Sequence, residues 1–296
     1  MKLTKRIFIP GSEWIYLKVY AGNKTIENML SHEIGSIIRE LKKGELIKKW
    51  FFIRYADPES HLRIRFLLND KQDSNKILDL VYMKLNYFVQ HNLIWKIQLD
   101  TYNRELERYG NDLIEEAETI FYHDSECVLS IIQKLNMSQY ENHRWMIALK
   151  LVDSFLTDFS FDLQMKQRFI ENLSQTFKNE FGFNEYNSKQ LNVKFRENKN
   201  LIEAVLANKE ISDDFGRYLK LIEKRSKHMR ATIEELSLKL KKTNRSVYVE
   251  TFLSSYIHMS FNRLFISKNR IYELLLYDFL KRFYISEIAR RKYVKK

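Results

Sequence analysis

The sequence predicts an α+β fold: a small, mostly antiparallel sheet with flanking helices in the N-terminal half, followed by a helix-rich C-terminal half. Three observations support this prediction. The alternation of apolar and polar residues that is typical of strands occurs only before residue 110. After residue 112, apolar residues recur at helical spacing almost to the end of the chain. Seven glycines and two prolines among 296 residues favour long helices over a β-sandwich or a barrel.

Four strands and two helices are predicted in the N-terminal half. The strands are rich in aromatic and β-branched residues and occupy residues 13–20, 50–56, 61–67 and 95–102. Residues 57–60 (DPES) have the composition of a turn, so the second and third strands form a hairpin. Helical spacing covers residues 25–43, where Gly44 ends the helix, and residues 73–90.

Seven helices are predicted in the C-terminal half, at residues 112–135, 138–158, 161–180, 187–208, 212–241, 246–266 and 269–287. Residues 181–195 are rich in Asn, Gly and Lys and are predicted to contain a loop. Asp124 and Ser125 are predicted to cap a helix. The basic run 290–296 is predicted to be a solvated tail.

Composition excludes several classes of protein. The glycines lie too far apart for a P-loop or a dinucleotide-binding loop. Cys127 is the only cysteine, which rules out an internal disulfide and a cysteine-based zinc site. The histidines lack the spacing of a zinc hydrolase. There is no signal peptide and no apolar run of about 18 residues that could span a bilayer, so the cytoplasm is the expected location.

The formal charge of +12 and the pI of about 9.4 favour anionic partners, either nucleic acid or an acidic small ligand or peptide. The strand at residues 61–67 sharpens this expectation, because His61, Arg63 and Arg65 share one face of it. Neighbouring side chains on that face are about 6.5 Å apart. Two guanidiniums at this spacing suit a carboxylate or phosphate. The alternative is a solvated strand face.

Three further groups of residues are candidates for chemistry. Arg54 lies on the partner strand of the hairpin, and Asp57 could neutralise one of the arginines. Glu105 and Arg108 would share a face of a helix and form a local ion pair. His258 and Asn262 would stack on one face of a later helix. His258 is either a general acid or base or a satisfied core histidine.

These blocks, in this order, resemble one family. The chain is similar to the C-terminal elimination domain of class I lantibiotic dehydratases, also called the thiopeptide-type bacteriocin biosynthesis domain. The blocks that carry the resemblance are PGSEWIYLK (10–18), WFFIRYADP (50–58), HLRIRF (61–66), YNRELERYG (102–110) and SYIHM (255–259), with Asn262, Arg263 and Glu273. The resemblance covers essentially the whole chain and implies one elimination-type domain, 1–296, with a mixed half, 1–110, and a mainly helical half, 111–296.

The resemblance also implies a reaction: loss of glutamate from glutamylated Ser or Thr of a ribosomally made precursor peptide, giving dehydroalanine or dehydrobutyrine. Full-length members carry a larger glutamylation domain that takes glutamate from glutamyl-tRNA. The chain has no room for that domain, so a stand-alone elimination protein with a separate tRNA-Glu-dependent glutamylating subunit is expected. The elimination needs no metal or organic cofactor. Homodimer formation is common among sibling domains and is left open.

The family's elimination residues fall on four positions of this sequence. Arg63, Arg65 and Arg108 are expected to hold the glutamyl group and stabilise charge, and His258 is expected to transfer a proton. Residues expected to contact the substrate are Arg54, Glu105, Tyr109 and Asn262.

Two alternatives compete with this hypothesis. The first is a related enzyme of thiopeptide biosynthesis that joins two dehydroalanines in a formal aza-[4+2] cycloaddition and forms a pyridine macrocycle. That reaction expels no glutamate and should not need the full set of arginines. The second is a non-catalytic basic module that binds tRNA or the precursor peptide.

Overall fold

The computed structural model describes residues 4–137, 143–207, 213–242 and 248–294. Its strands are β1 (Ile7–Phe8), β2 (Trp14–Ala21), β3 (Ile47–Tyr55), β4 (His61–Leu68), β5 (Ile94–Leu99) and β6 (Tyr102–Asn103). Four of them form an antiparallel sheet in the order β3-β4-β2-β5, and β1 pairs with β6 in a second, two-stranded sheet. The predicted hairpin at residues 50–67 is therefore confirmed as β3 and β4.

The helices are α1 (Asn23–Met29), α2 (Gly35–Lys43), α3 (Ser74–Gln90), α4 (Leu106–Tyr109), α5 (Ile114–Met137), α6 (Arg144–Asp158), α7 (Leu163–Glu180), α8 (Glu185–Leu206), α9 (Asp213–Lys242), α10 (Val249–Leu264) and α11 (Asn269–Val294). A π-helical turn, Leu30–Ile34, joins α1 to α2. The predicted α+β fold class is confirmed. Parts of four predicted helices, at residues 138–142, 208, 212 and 246–247, lie outside the described residues. Within the described residues, no helix is long and apolar enough to cross a membrane.

Four local predictions were wrong. The strand expected at 95–102 ends at Leu99, and Tyr102 begins the strand of the second sheet. The loop expected at 181–195 is short, because the Asn184 side chain accepts a hydrogen bond from the Asn187 backbone N–H and starts α8. Asp124 and Ser125 lie in the middle of α5 and cap no helix. The basic run 290–296, expected to be a solvated tail, is exposed at residues 290–292 but helical, since α11 continues as far as Val294; residues 295–296 lie outside the described part of the chain.

Side chains from α5 and α10 cover the open edge of the sheet at β3. The Ser125 hydroxyl accepts a hydrogen bond from the Phe52 backbone N–H at 3.3 Å. Arg263 Nε donates to the Phe52 carbonyl at 2.8 Å. An uncovered edge strand would leave these polar groups free to pair with another chain. The contacts also fix α10 beside the sheet face that carries the strand arginines.

Two buried carboxylates each bind two arginines from distant parts of the chain. Glu27 on α1 binds Arg54 on β3 and Arg144 on α6. The same two arginines donate to the backbone carbonyls of Arg263 and Leu264, where α10 ends. Carbonyls at the end of a helix lack partners within the helix, so the guanidiniums satisfy them and complement the helix dipole.

The second buried carboxylate is Asp124 on α5. One oxygen accepts from Arg225 Nη1 at 2.9 Å and from the Ser260 hydroxyl at 3.1 Å, and the other accepts from Arg263 Nη1 at 2.9 Å. All four residues are buried. Asp124 therefore joins α5, α9 and α10 at the edge of the sheet.

A pH-sensitive histidine lies outside the sheet, in a cavity of about 340 Å³ between α2, α5 and α9. Burial, together with His228, whose ring centroid is 5.4 Å away, lowers the pKa of His123 to about 4. Between pH 6.5 and 4 the unfolded chain therefore binds a proton at this position that the folded chain does not bind. The neutral ring favours the folded state fully above pH 6.5, and this contribution is lost as the pH falls towards 4.

We expect the free energy of unfolding, measured by urea denaturation from pH 7.5 to pH 4.5, to fall less steeply in His123→Gln than in the wild type. The difference in slope should correspond to about one proton. His91→Gln, which changes an exposed histidine at the end of α3, is the matched control and should follow the wild-type curve. Identical slopes for wild type and His123→Gln would contradict the prediction.

Candidate active site

A cavity of about 270 Å³ opens between the sheet face of β3 and β4, the segment from β6 to α4, and α10. Its volume lies just below the range of about 300–1,000 Å³ that is usual for small-molecule sites. Seven of the eight residues named from the sequence line it: Arg63, Arg65, Glu105, Arg108, Tyr109, His258 and Asn262. Segments nearly 200 residues apart in sequence thus meet at one place.

Arg63 reaches the cavity from β4. Its guanidinium carbon lies 3.5 Å from the centre of the Tyr55 ring, and its Nε donates to His61 Nε2 at 2.9 Å. Within the described residues, no carboxylate forms an ion pair with it, and Asp57 does not neutralise it. The Tyr55 ring fixes the plane of the guanidinium through a cation–π contact, and the ends of its fork are left for a ligand.

Arg65 follows on the same face of β4 and is surrounded by aromatic rings. Its guanidinium carbon is 4.2 Å from the ring centre of Tyr16, 4.9 Å from that of Tyr102 and 5.3 Å from that of Phe51. Its Nε is buried and has no hydrogen-bond partner. Nor does any carboxylate among the described residues pair with it. A buried donor without a partner is costly, so an anionic ligand would stabilise this arrangement.

Arg108 lies on α4, the short helix that follows β6. It pairs with Glu105 at 3.1 Å, as the three-residue spacing predicts, and both side chains are about half exposed.

Tyr109, the next residue along α4, is buried, and its ring stacks on that of Tyr256 with 5.6 Å between the ring centroids. Burial raises the pKa of Tyr109 to about 12, so its hydroxyl keeps its proton at neutral pH. Gly110, at φ +83°, ends the helix in a conformation that favours glycine.

His258 is oriented by a buried carboxylate. Its Nδ1 lies 2.7 Å from Glu273 Oε1, and its Nε2 lies 3.1 Å from Asn262 Nδ2. A carboxylate only accepts hydrogen bonds, so Nδ1 carries a proton, and the Asn262 Nδ2–H group donates to Nε2, which therefore accepts through its lone pair. Glu273 is 1% exposed and also accepts from the Tyr277 hydroxyl at 3.3 Å. A histidine held in one tautomer by a buried carboxylate is the arrangement of a general base.

Arg54 is the one predicted site residue that does not line the cavity. Side chains alternate along β3, and Ile53 and Tyr55 take the cavity face, so Arg54 points to the opposite face. There it is buried against Glu27 and donates to the Arg263 carbonyl at 3.0 Å. The expected contact between Arg54 and the substrate is therefore corrected: its role is to support α10.

Several residues that line the cavity, or contact the side chains that line it, were not assigned from the sequence. Glu273 was one of the residues that carry the family resemblance, but no role was predicted for it. Its pairing with His258 joins α10 to α11, which the spacing within one helix does not show. The aromatic residues Tyr16, Phe51 and Tyr55 were assigned only to strands. Their register against the arginine strand, with Tyr16 and Phe51 both opposite Arg65, could have shown that they surround it. Within the described residues, no group of three or more potential ligands could hold a metal ion.

The α+β fold thus brings the sheet arginines Arg63 and Arg65 to the same cavity as His258, whose ring pairs with the buried Glu273 carboxylate. The sequence profile of the lantibiotic biosynthesis dehydratase C-terminal family matches residues 14–284, and the chain belongs to this family.

Curated relatives share sequence along much of the chain. Nisin biosynthesis protein NisB of Lactococcus lactis subsp. lactis is 28% identical over 308 residues, which cover 97% of this chain and 27% of the relative. Subtilin biosynthesis protein SpaB of Bacillus subtilis is 28% identical over 182 residues, which cover 60% of this chain and 17% of the relative. The chain thus spans about a quarter or less of the length of these relatives.

Two solved structures share the fold. The tRNA-dependent lantibiotic dehydratase MibB from Microbispora sp. 107891 superposes with a TM-score of 0.71 at 19% identity, over 96% of this chain and 29% of that one. The pyridine synthase TbtD from thiomuracin biosynthesis superposes with a TM-score of 0.67 at 10% identity, over 94% of this chain and 99% of that one. At these identities the likeness concerns the fold alone.

Proposed function

We propose that the protein is a lyase that eliminates glutamate from glutamylated serine or threonine residues of a ribosomally made precursor peptide, giving dehydroalanine or dehydrobutyrine. One observation supports this most strongly. Arg63 and Arg65 line the same cavity as His258, which pairs with Glu273, and neither arginine has a carboxylate partner among the described residues. A glutamyl ester brings the carboxylate that these arginines lack.

The elimination can be assigned to these side chains step by step. His258 Nε2 removes the proton from Cα of the modified residue, and Glu273 stabilises the imidazolium that forms. The electron pair forms the Cα=Cβ bond, the Cβ–O bond breaks, and glutamate leaves with the oxygen as a carboxylate. Arg63 and Arg65 hold the glutamyl group and stabilise the departing carboxylate. Arg108 and the Tyr109 hydroxyl donate to the carbonyl oxygen that becomes negative.

The pair between Arg108 and Glu105 suggests how substrate enters. Both side chains are about half exposed at the cavity, where such a pair contributes little stability. A substrate carboxylate or enolate can therefore replace Glu105 as the partner of Arg108 at small cost.

We propose that a separate glutamylating subunit that uses tRNA-Glu supplies the substrate in the cytoplasm. We also propose that the chain acts as one domain and that no cofactor takes part.

The direct test incubates the purified protein with a glutamylated precursor peptide and follows peptide mass and free glutamate. We expect the peptide to lose the mass of glutamic acid and one equivalent of glutamate to appear. The same peptide with unmodified serine or threonine is the control and should not change. Unchanged glutamylated peptide, with protein shown to be folded, would contradict the proposal.

A second candidate function is the formal aza-[4+2] cycloaddition, favoured by the alignment of this chain with 99% of the pyridine synthase TbtD. A peptide that already contains two dehydroalanines decides between the candidates, because cyclisation without prior glutamate release would support the second. A non-catalytic basic module would do neither, and its binding to tRNA or peptide should weaken steeply with salt.

The His258–Glu273 pair makes a prediction of its own. Glu273→Gln keeps the shape of the side chain but removes the charge that stabilises the imidazolium. We expect kcat for glutamate release to fall about 10²-fold or more, with a small change in KM. Glu250→Gln, on the exposed side of α10, is the matched control. Because Glu273 is buried, circular dichroism must show a folded variant, and a folded Glu273→Gln with wild-type kcat would refute the role of the pair.

A further inference from the structure

His61 is a buried residue beside the cavity whose hydrogen bonds define its chemical state. Its ring lies between Tyr20, stacked at 4.7 Å between centroids, and Tyr55, at 5.5 Å. Its Nδ1 is 2.7 Å from the Glu59 carbonyl oxygen, which only accepts, so Nδ1 carries a proton. Its Nε2 receives the hydrogen bond from Arg63 Nε at 2.9 Å and therefore offers a lone pair. His61 is thus a neutral imidazole in the Nδ1–H form.

We propose that His61 is a positioning residue for Arg63, and that as a neutral imidazole it occupies the guanidinium Nε so that only the two terminal nitrogens are available to a carboxylate in the cavity. The inference rests on the proposed function and adds a geometry to it. A guanidinium can bind a carboxylate through Nε and one terminal nitrogen, or through both terminal nitrogens. With Nε occupied and the plane set by Tyr55, only the second mode is open.

The arrangement requires that the ring stay neutral, because a protonated His61 would lose its acceptor and place a second charge beside Arg63. Burial, Arg63 and Lys18 on β2 lower the pKa of His61, while the hydrogen bond with the Glu59 carbonyl and the charge of Asp57 in the preceding turn oppose this shift. The charged and titratable groups around the ring are Lys18 and Tyr20 on β2, Tyr55 on β3, Asp57, Arg63 on β4, and Lys96 on β5, which contacts Tyr20. Acidification through the pKa of His61 should release Arg63.

The kinetic test is a double-mutant cycle. His61→Phe keeps a ring between the two tyrosines but removes the acceptor. We expect it to lower kcat/KM for glutamate release about 10- to 100-fold, the range found when the hydrogen-bond partner that orients a metal-binding histidine is removed. In an Arg63→Ala background the same substitution should have little further effect, because nothing is left to position. His91→Phe, at an exposed histidine, is the control.

Additive losses in the cycle would overturn the proposal, since they would mean that His61 acts on packing alone. A pH profile separates the two roles further. In the wild type, protonation of His61 at low pH removes the acceptor for Arg63 Nε and contributes to the fall in rate. This contribution should be absent from folded His61→Phe. An unchanged acidic limb would count against the proposal.

A second measurement does not depend on activity or on a mutant that folds. The ¹⁵N chemical shifts of the His61 ring in the wild-type protein distinguish the two neutral tautomers and the protonated form. We expect the Nδ1–H tautomer at pH 7, with a hydrogen-bonded Arg63 Nε–H. An Nε2–H tautomer or a protonated ring would overturn the inference. If the wild-type protein releases no glutamate, the proposed function fails while the ring shifts still decide the state of His61.

Discussion

Replacing Arg65 by alanine is expected to slow glutamate release so strongly that glutamylated peptide accumulates while the protein remains folded. The side chain has no carboxylate partner among the described residues and lies among Tyr16, Phe51 and Tyr102, so its positive charge is available to the substrate. Removing a donor that meets a developing anion costs about 10²–10³-fold in rate. The measurement is kcat/KM for glutamate release, followed by mass spectrometry.

Arg65→Lys makes the test sharper. Lysine keeps the charge but loses the flat group that stacks between rings and the fork that binds both oxygens of a carboxylate. We expect its activity to lie between that of the wild type and that of Arg65→Ala. Arg196→Ala, at an exposed position on α8, removes the same charge from the chain and should behave like the wild type. Wild-type kcat/KM in Arg65→Ala would refute the proposed site.

Asp124→Asn is expected to destabilise the folded protein strongly. The carboxylate binds two guanidiniums, those of Arg225 and Arg263, and all three groups are buried. Removing one member of a buried charge cluster leaves charges without compensation and costs about 3–5 kcal/mol. Urea denaturation at neutral pH would measure this as a lower midpoint with an unchanged slope.

The matched control is Glu287→Gln, which weakens the pairs of Glu287 with the exposed Arg290 and Arg291 on α11. Exposed pairs contribute about 0–1 kcal/mol, so this variant should unfold close to the wild-type midpoint. An Asp124→Asn protein as stable as Glu287→Gln would show that the buried cluster adds nothing to stability. Activity should fall together with stability, because Arg263 also lines the cavity.

The elements of this fold could be predicted from sequence where one periodicity runs without interruption. The hairpin of β3 and β4 and the long helices follow from spacing of apolar residues, which depends only on near neighbours. The short loop before α8 was overestimated because composition hid a local cap, the Asn184 side chain. The predicted strand at 95–102 is divided into β5 and β6 because β5 pairs with β2 and β6 pairs with β1 in a different sheet. The alternation of apolar and polar residues does not show which strands pair with each other.

The candidate site likewise contains residues that could be predicted from sequence and residues that could not. Strand alternation placed Arg63 and Arg65 on one face, and the family blocks named the residues that approach from α4 and α10. Alternation along β3 could also have excluded Arg54, which lies one position from Tyr55 and so on the other face. The partners of Asp124 could not be predicted, since they lie 101 and 139 residues away in the sequence and are joined only by packing.

The Glu27 carboxylate, bound by Arg54 and Arg144, has a consequence for anyone who recombines this chain with its relatives. The three residues come from a helix and a strand before residue 110 and from a helix after it. A chimera that takes its first half from one parent and its second half from another would inherit Glu27 and Arg54 from the first parent and the residue at position 144 from the second. If all three positions are taken from the same parent, the charges of the cluster stay matched.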